Sequence, residues 1–181
     1  MKIWMLEFDV ENYQGLYPKV FWSREKVISF DGRSQIHTWI PDEVVKLNPK
    51  KKLPFSNAPN FYTHIPVFDE KALSVLGKYL TDTAEILPLN YKEGNYYAIN
   101  VMRVIDCIDY EQAKFITFSD GKRIMFFEKY AFHEDKVRNE NLFKIIDEPL
   151  AHQFVSDDFR QTVLENGLTG FIFKEVWDSE G

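Results

Sequence analysis

VSDDFRQTVLENGLTGFIFKEVW, Val155 to Trp177, reads as a helix followed by a strand, with its punctuation intact. Ser156 can accept a bond from a free amide of the first turn. Asp157 and Asp158 then place negative charge at the positive end of the helix dipole. Phe159, Val163 and Leu164 fall on one side, which predicts a buried face. Asn166 and Gly167 form a left-handed stop, after which Leu168 can fold back on Val163. In the strand that follows, Phe171 and Phe173 point one way while Ile172 and Lys174 point the other. Every residue of the segment has a structural use, and none forms a catalytic set.

Outward from this tail, the sequence predicts a second helix over Asp69–Leu80. Asp69 serves as its cap, and Ala72, Leu73, Val75, Leu76, Tyr79 and Leu80 form a broad apolar face. Six residues of that segment (Val67, Asp69, Glu70, Val75, Leu76, Leu80) recur 88 residues on as Val155, Asp157, Asp158, Val163, Leu164 and Leu168. Between the helices lie strand-like runs. Two flank Glu93-Gly94-Asn95, with Pro88 expected at an edge or bulge because it lacks a ladder donor. Two more flank Asp120-Gly121, the strongest hairpin signal in the chain. LFKIID, from Leu142, is a further short strand. The helices and hairpins together predict an α+β fold, a mainly antiparallel sheet with two principal helices packed against it.

The first sixty residues read less clearly. Ile3–Val10 is strand-like, and KVISFDGRSQIHTWIP suggests two short strands around Asp31-Gly32. PDEVVKLNPKKKLPFSNAPN, rich in Pro and Lys, reads as a linker or long surface loop ending near Asn60. Residues 1–60 are thus a strand-rich region and a loop, either separate from residues 61–181 or part of the same domain.

Composition narrows the function classes. The 181 residues carry 45% hydrophobic and 28% charged side chains, ordinary for a globule, with 16 Phe, 9 Tyr and 4 Trp. A net charge of -6 disfavours a nonspecific nucleic-acid binder, which needs a basic face to displace counterions. It would instead draw a basic partner. The single cysteine, Cys107, fits a reducing compartment and a buried thiol. No stretch approaches a membrane span and the start lacks a signal-peptide pattern, so the cytoplasm is expected.

Catalytic signatures are missing from the residues. His37, His64, His133 and His152 show no metal-ligand spacing, the glycines make no phosphate loop, and no GxSxG elbow surrounds Ser156, which lies near His152. The carboxylates Asp106, Asp109, Asp147 and Glu148 are plentiful but unpaired by any motif. The reading is therefore no catalytic residue, no metal and no cofactor, and a deep pocket with converging His and carboxylate groups would argue the other way. The rival classes are an adaptor for an ordinary cellular partner and a hydrolase with an unfamiliar site.

The same tail resembles the C-terminal signature of the Imm11 immunity-protein family. The matching residues are Val155–Phe159, Glu165–Gly170, Phe171, Phe173 and Glu175–Trp177. Upstream, Tyr96, Tyr97, Asn100, Val101, Ile105, Asp106 and Asp109 match the family's central stretch, and Lys129, Phe132, Glu134 and Lys136 a further element. The resemblance spans about Phe61 to Trp177. It implies a bacterial protein of a polymorphic toxin system that binds and silences a cognate toxin effector, with no cofactor and no catalytic motif to carry over. For the toxin-facing surface the sequence favours the polar stretch Glu134, Asp135, Arg138 and Asn139, beside aromatics expected to be exposed at Tyr130 and Phe132.

Overall fold

A computed structural model describes residues 1–181. Its chain order is β1 (Lys2–Phe8), β2 (Leu16–Pro18), α1 (Arg24–Ile28), β3 (Val44–Lys46), β4 (Val67–Asp69), α2 (Glu70–Leu80), β5 (Ala84–Leu89) and β6 (Tyr96–Val101). It continues with β7 (Val104–Ile105), β8 (Lys114–Thr117), β9 (Ile124–Lys129), α3 (Glu134–Val137), β10 (Leu142–Ile145), β11 (Gln153–Ser156), α4 (Asp157–Glu165) and β12 (Phe171–Asp178). The fold is α+β with mostly antiparallel pairing, as the sequence predicts.

Two sheets organise it. The larger runs β12-β1-β11-β10-β7 and the smaller β4-β6-β5. In the larger, β11 and β12 both lie antiparallel to β1, one on each side, and α4 carries the chain from one to the other. In the smaller, β4 and β5 both lie antiparallel to β6, and α2 makes the same kind of crossover. Each is a split strand–helix–strand unit with a third strand inserted between its ends. The Val67/Val155 echo in the sequence thus falls on two units of the same design.

Alternation along the strands divides three cores. Leu6, Phe8 and Val155 of the larger sheet meet Phe68, Ile99 and Val101 of the smaller, with Leu76 and Tyr79 of α2 and Phe159 and Val163 of α4 between them. The opposite face of the larger sheet, Ile3, Met5, Phe143 and Phe154, is covered by Cys107, Phe127, Tyr130, Phe132 and Val137. On the smaller sheet's other face, Val67, Leu87 and Ala98 pack against Trp22, Phe30, Val44 and Phe61 from the N-terminal region.

Both predicted helix ends are present. Ser156 Oγ accepts from the Phe159 amide at 3.2 Å, and Asp69 Oδ1 from the Ala72 amide at 2.8 Å. At the C-terminus of α4, Gly167 adopts φ +58, its amide donates to the Leu164 carbonyl, and Leu168 donates to Val163 O at 3.1 Å. The crossing of both bonds over a left-handed residue stops the helix and folds Leu168 into the core beside Val163. Pro88 sits in β5, an edge strand, and the β8–β9 hairpin turns through Gly121 at φ +65.

Two expectations are corrected. Leu164 is 49% exposed, because α4 rests on the core through Phe159 and Val163 and the next position rotates past the contact. The segment Lys26–Pro41 forms no strands. Ser23 instead caps α1, accepting from the Lys26 amide, and the chain that follows delivers Phe30 and Trp39 to an aromatic cluster around Trp22. The Pro- and Lys-rich stretch is largely an exposed loop, one of its two expected forms, tied down at a few points. β3 pairs with β2 and bonds to Asn90, while Ala58 enters the core beneath α2 and α4.

Candidate partner interface

The polar stretch favoured by the sequence begins where the chain leaves β9. Two main-chain bonds fix this exit, Asp109 N to Ala131 O and His133 N to Cys107 O, both 2.9 Å. They press Tyr130 and Phe132 against the larger sheet, where they are only 7% and 4% exposed. Phe132 packs against the rings of Phe143, Phe154 and Trp177, and Tyr130 against Phe127 and Phe154. The expectation that these two aromatics are exposed anchors is therefore corrected: they roof a core that would otherwise meet water.

The charged part of the stretch is on the surface. α3 starts at His133 without a side-chain cap, and Glu134 and Asp135 occupy its first turn. Glu134 is bridged to Arg138 at 3.0 Å, one helical turn on. Asp135 and Asn139 are exposed. Glu134, Asp135 and Arg138 border a cleft of about 460 Å³ with Asp109 and Asp178; Asn139 does not reach it.

A second cleft, of about 320 Å³, lies between the larger sheet and the hairpin. Here Tyr130 Oη donates to Glu148 Oε2 at 3.0 Å, while His152, Glu7 and Lys174 line the walls with Phe126 and Met5. Burial raises the Glu148 carboxyl above its ordinary value, against the Tyr130 hydrogen bond that lowers it. Burial likewise holds the His152 imidazole below its ordinary value, towards the neutral form, and its Nδ1 is buried without a partner. The structure thus brings together a histidine and carboxylates that no motif linked. Glu7, Glu128, Glu148, His152 and Glu175 belong to no common motif, so the sequence carries no signal of the convergence.

The chemistry within reach is limited by the other lining groups. No serine, threonine or cysteine borders this cleft. Ser156 is occupied elsewhere, donating to Asn141 Oδ1 at 2.7 Å while capping α4. Cys107 is buried, its thiol pushed up to about 12 by desolvation, far from the thiolate a nucleophile needs. No three His, Cys, Asp or Glu side chains lie close enough together to hold a metal ion.

Signature residues turn out to be scaffold. Asn100 is fully buried, and its Nδ2 donates to Arg33 O at 2.8 Å and Glu85 Oε2 at 2.9 Å. Glu85 also accepts from Ser34 Oγ and the Gln35 amide, so a carboxylate stays ionised inside and ties residues 33–35 to the smaller sheet. Asp109 closes a turn by accepting from the Glu111 and Gln112 amides.

The fold thus carries two clefts whose charged lining groups are mainly carboxylates. Residues 86–178 match the model of the immunity protein family Imm11, half of the chain and the whole tail, and the chain belongs to that family. No curated protein matches it. No helix is long and apolar enough to cross a membrane.

Proposed function

We propose that this protein neutralises a cognate bacterial toxin effector by stoichiometric binding, in the cytoplasm of the cell it protects and without catalysing a reaction. The carrying observation is its membership of an immunity protein family, over a segment that includes α3 and β12. The acidic clefts support the same reading, since they would attract a basic toxin domain and raise its association rate. The stretch Glu134, Asp135, Arg138 and Asn139 belongs to this contact surface, with Tyr130 and Phe132 supporting it from beneath.

A hydrolytic role is the competing reading, favoured by the meeting of His152 with Glu148 in one cleft. It lacks a serine, threonine or cysteine nucleophile there and a hydrogen bond from His152 to a carboxylate. Co-expression with a toxin effector sought among the genes adjoining this one tests the proposal: growth should be restored, and the purified pair should form a complex at equal stoichiometry. Equal killing with and without this protein overturns it. Full inhibition at a small fraction of the effector concentration would instead indicate catalysis.

A further inference from the structure

The larger sheet ends on β12, whose other edge pairs with no strand. Asp9 N donates to Gly170 O at 3.0 Å, and from there the register pairs Phe8 with Phe171, Glu7 with Ile172, and so on to Trp4 with Glu175. In an antiparallel ladder, bonded pairs alternate with non-bonded ones. Ile172 and Lys174 therefore direct their main-chain groups to β1. Phe171, Phe173 and Glu175 turn theirs outward, where no main-chain partner meets them. β12 has eight residues and no proline, so its edge lacks the usual protection of a short or proline-bearing strand. The bulge opposite Ile3 and Trp4 limits the regular stretch to Phe171–Glu175.

Beside this edge the surface is a trough. A cleft of about 290 Å³ separates Glu175–Asp178 from Lys129–Ala131. It shares Trp177 and Asp178 with the cleft at α3, and Tyr130, Glu175 and Val176 with the cleft at His152. Its charge is acidic along its length. Glu7, Glu128, Glu148 and Glu175 line one end, with only Lys174 against them. Asp109, Glu134, Asp135 and Asp178 line the other, with only Arg138. Lys129 lies between, and Lys2 bridges Glu175 at 2.7 Å and Asp178 at 3.5 Å from the flank.

We propose that the toxin is held by strand addition: an extended segment bearing Lys or Arg side chains pairs with the outward main chain of Phe171, Phe173 and Glu175 and lays its cations in the acidic trough. This rests on the inhibitor reading and gives it a geometry. Main-chain bonds supply the register, and the trough selects the charge. A second copy of this chain fits less well, because its β12 carries a single basic residue, Lys174, beside Glu175 and Asp178.

Hydrogen exchange on this chain, alone and saturated with the effector that the co-expression test identifies, is the direct test. The amides of Phe171, Phe173 and Glu175 exchange quickly in the free protein and at least tenfold more slowly in the complex. Affinity gives a second measurement. Glu175→Ala keeps the outward N–H and Glu175→Pro removes it, a change an edge strand tolerates. The proline variant should bind at least tenfold more weakly than the alanine variant. If it fails to fold, the exchange measurement decides. A complex that leaves the three amides exchanging as in the free protein overturns strand addition alone. Protection that rises with protein concentration, with no effector present, assigns the edge to a second copy and also overturns it. Absence of any complex overturns the inhibitor reading together with this one.

Discussion

Tyr79 Oη donates to the carbonyl oxygen of Asp158 at 3.0 Å and lies 2.8 Å from Thr162 Oγ1. This joins the two crossover helices, α2 and α4, at a point where both are half-buried. Removing the hydroxyl leaves a helical carbonyl and a threonine short of one partner while keeping the ring's packing against Phe159. Tyr79→Phe should lower the unfolding free energy by about 1 kcal/mol, measured by urea denaturation. No change would mean the helices are held by apolar packing alone.

The two apolar residues at the ends of α4 should behave oppositely. Phe159 is fully buried and Leu164 is half in water. Phe159→Ala should cost about 3–5 kcal/mol through lost burial and a residual cavity. Leu164→Ala should change stability by less than about 0.5 kcal/mol. Thermal melts of the two variants check the orientation of the helix directly.

Lys144 is fully buried, and its Nζ donates to Phe30 O at 2.5 Å. Burial lowers its pKa from the ordinary 10.5 to about 8, against the attraction of Asp31. Between these values the unfolded chain binds more protons than the folded one, so this residue's contribution favours folding increasingly as pH rises. From pH 7 to 9.5, wild type should gain about 2 kcal/mol on the Lys144→Met variant. A difference that stays flat across that window would show that the lysine titrates normally.

At the surface, reversing Glu134 and Asp135 together to lysine should weaken effector binding at least tenfold. The Glu134–Arg138 bridge is exposed at both ends, so its loss alone has little effect on folding. The melting temperature should fall by no more than a few degrees, roughly the cost of misplaced charge in a helix's first turn. Unchanged affinity in a titration of the folded variant would remove α3 from the interface.

Elements specified by neighbouring residues were the legible ones. The Ser156 cap, the stop at Gly167, the turn at Gly121 and the edge position of Pro88 all depend on a few consecutive residues, and all are present. The burial of Phe132 and Tyr130 is not legible locally, because it depends on a sheet face built from residues 3–5 and 143–154. The structure around Trp22 is not legible locally, because its aromatic cluster gathers rings from positions 22 to 62, and clustering of that range overrides the local strand pattern. The trough was invisible for the same reason. It exists only once β12 lies beside the exit from β9, and nothing in either segment names the other.

β1 lies between β11 and β12, with Ile3 opposite Ser156 on one side and Trp177 on the other. On the ribosome, β1 emerges early and has no neighbour to pair with until residues 153–178 follow. At about 5–20 residues per second that interval is roughly ten to thirty seconds, during which Ile3, Met5 and Leu6 stay open to water or to a chaperone. The larger sheet therefore assembles after translation has passed β12. A freshly made molecule cannot present its β12 edge as part of a sheet before then, so any contact made through that edge would lag behind synthesis by the time this closure takes.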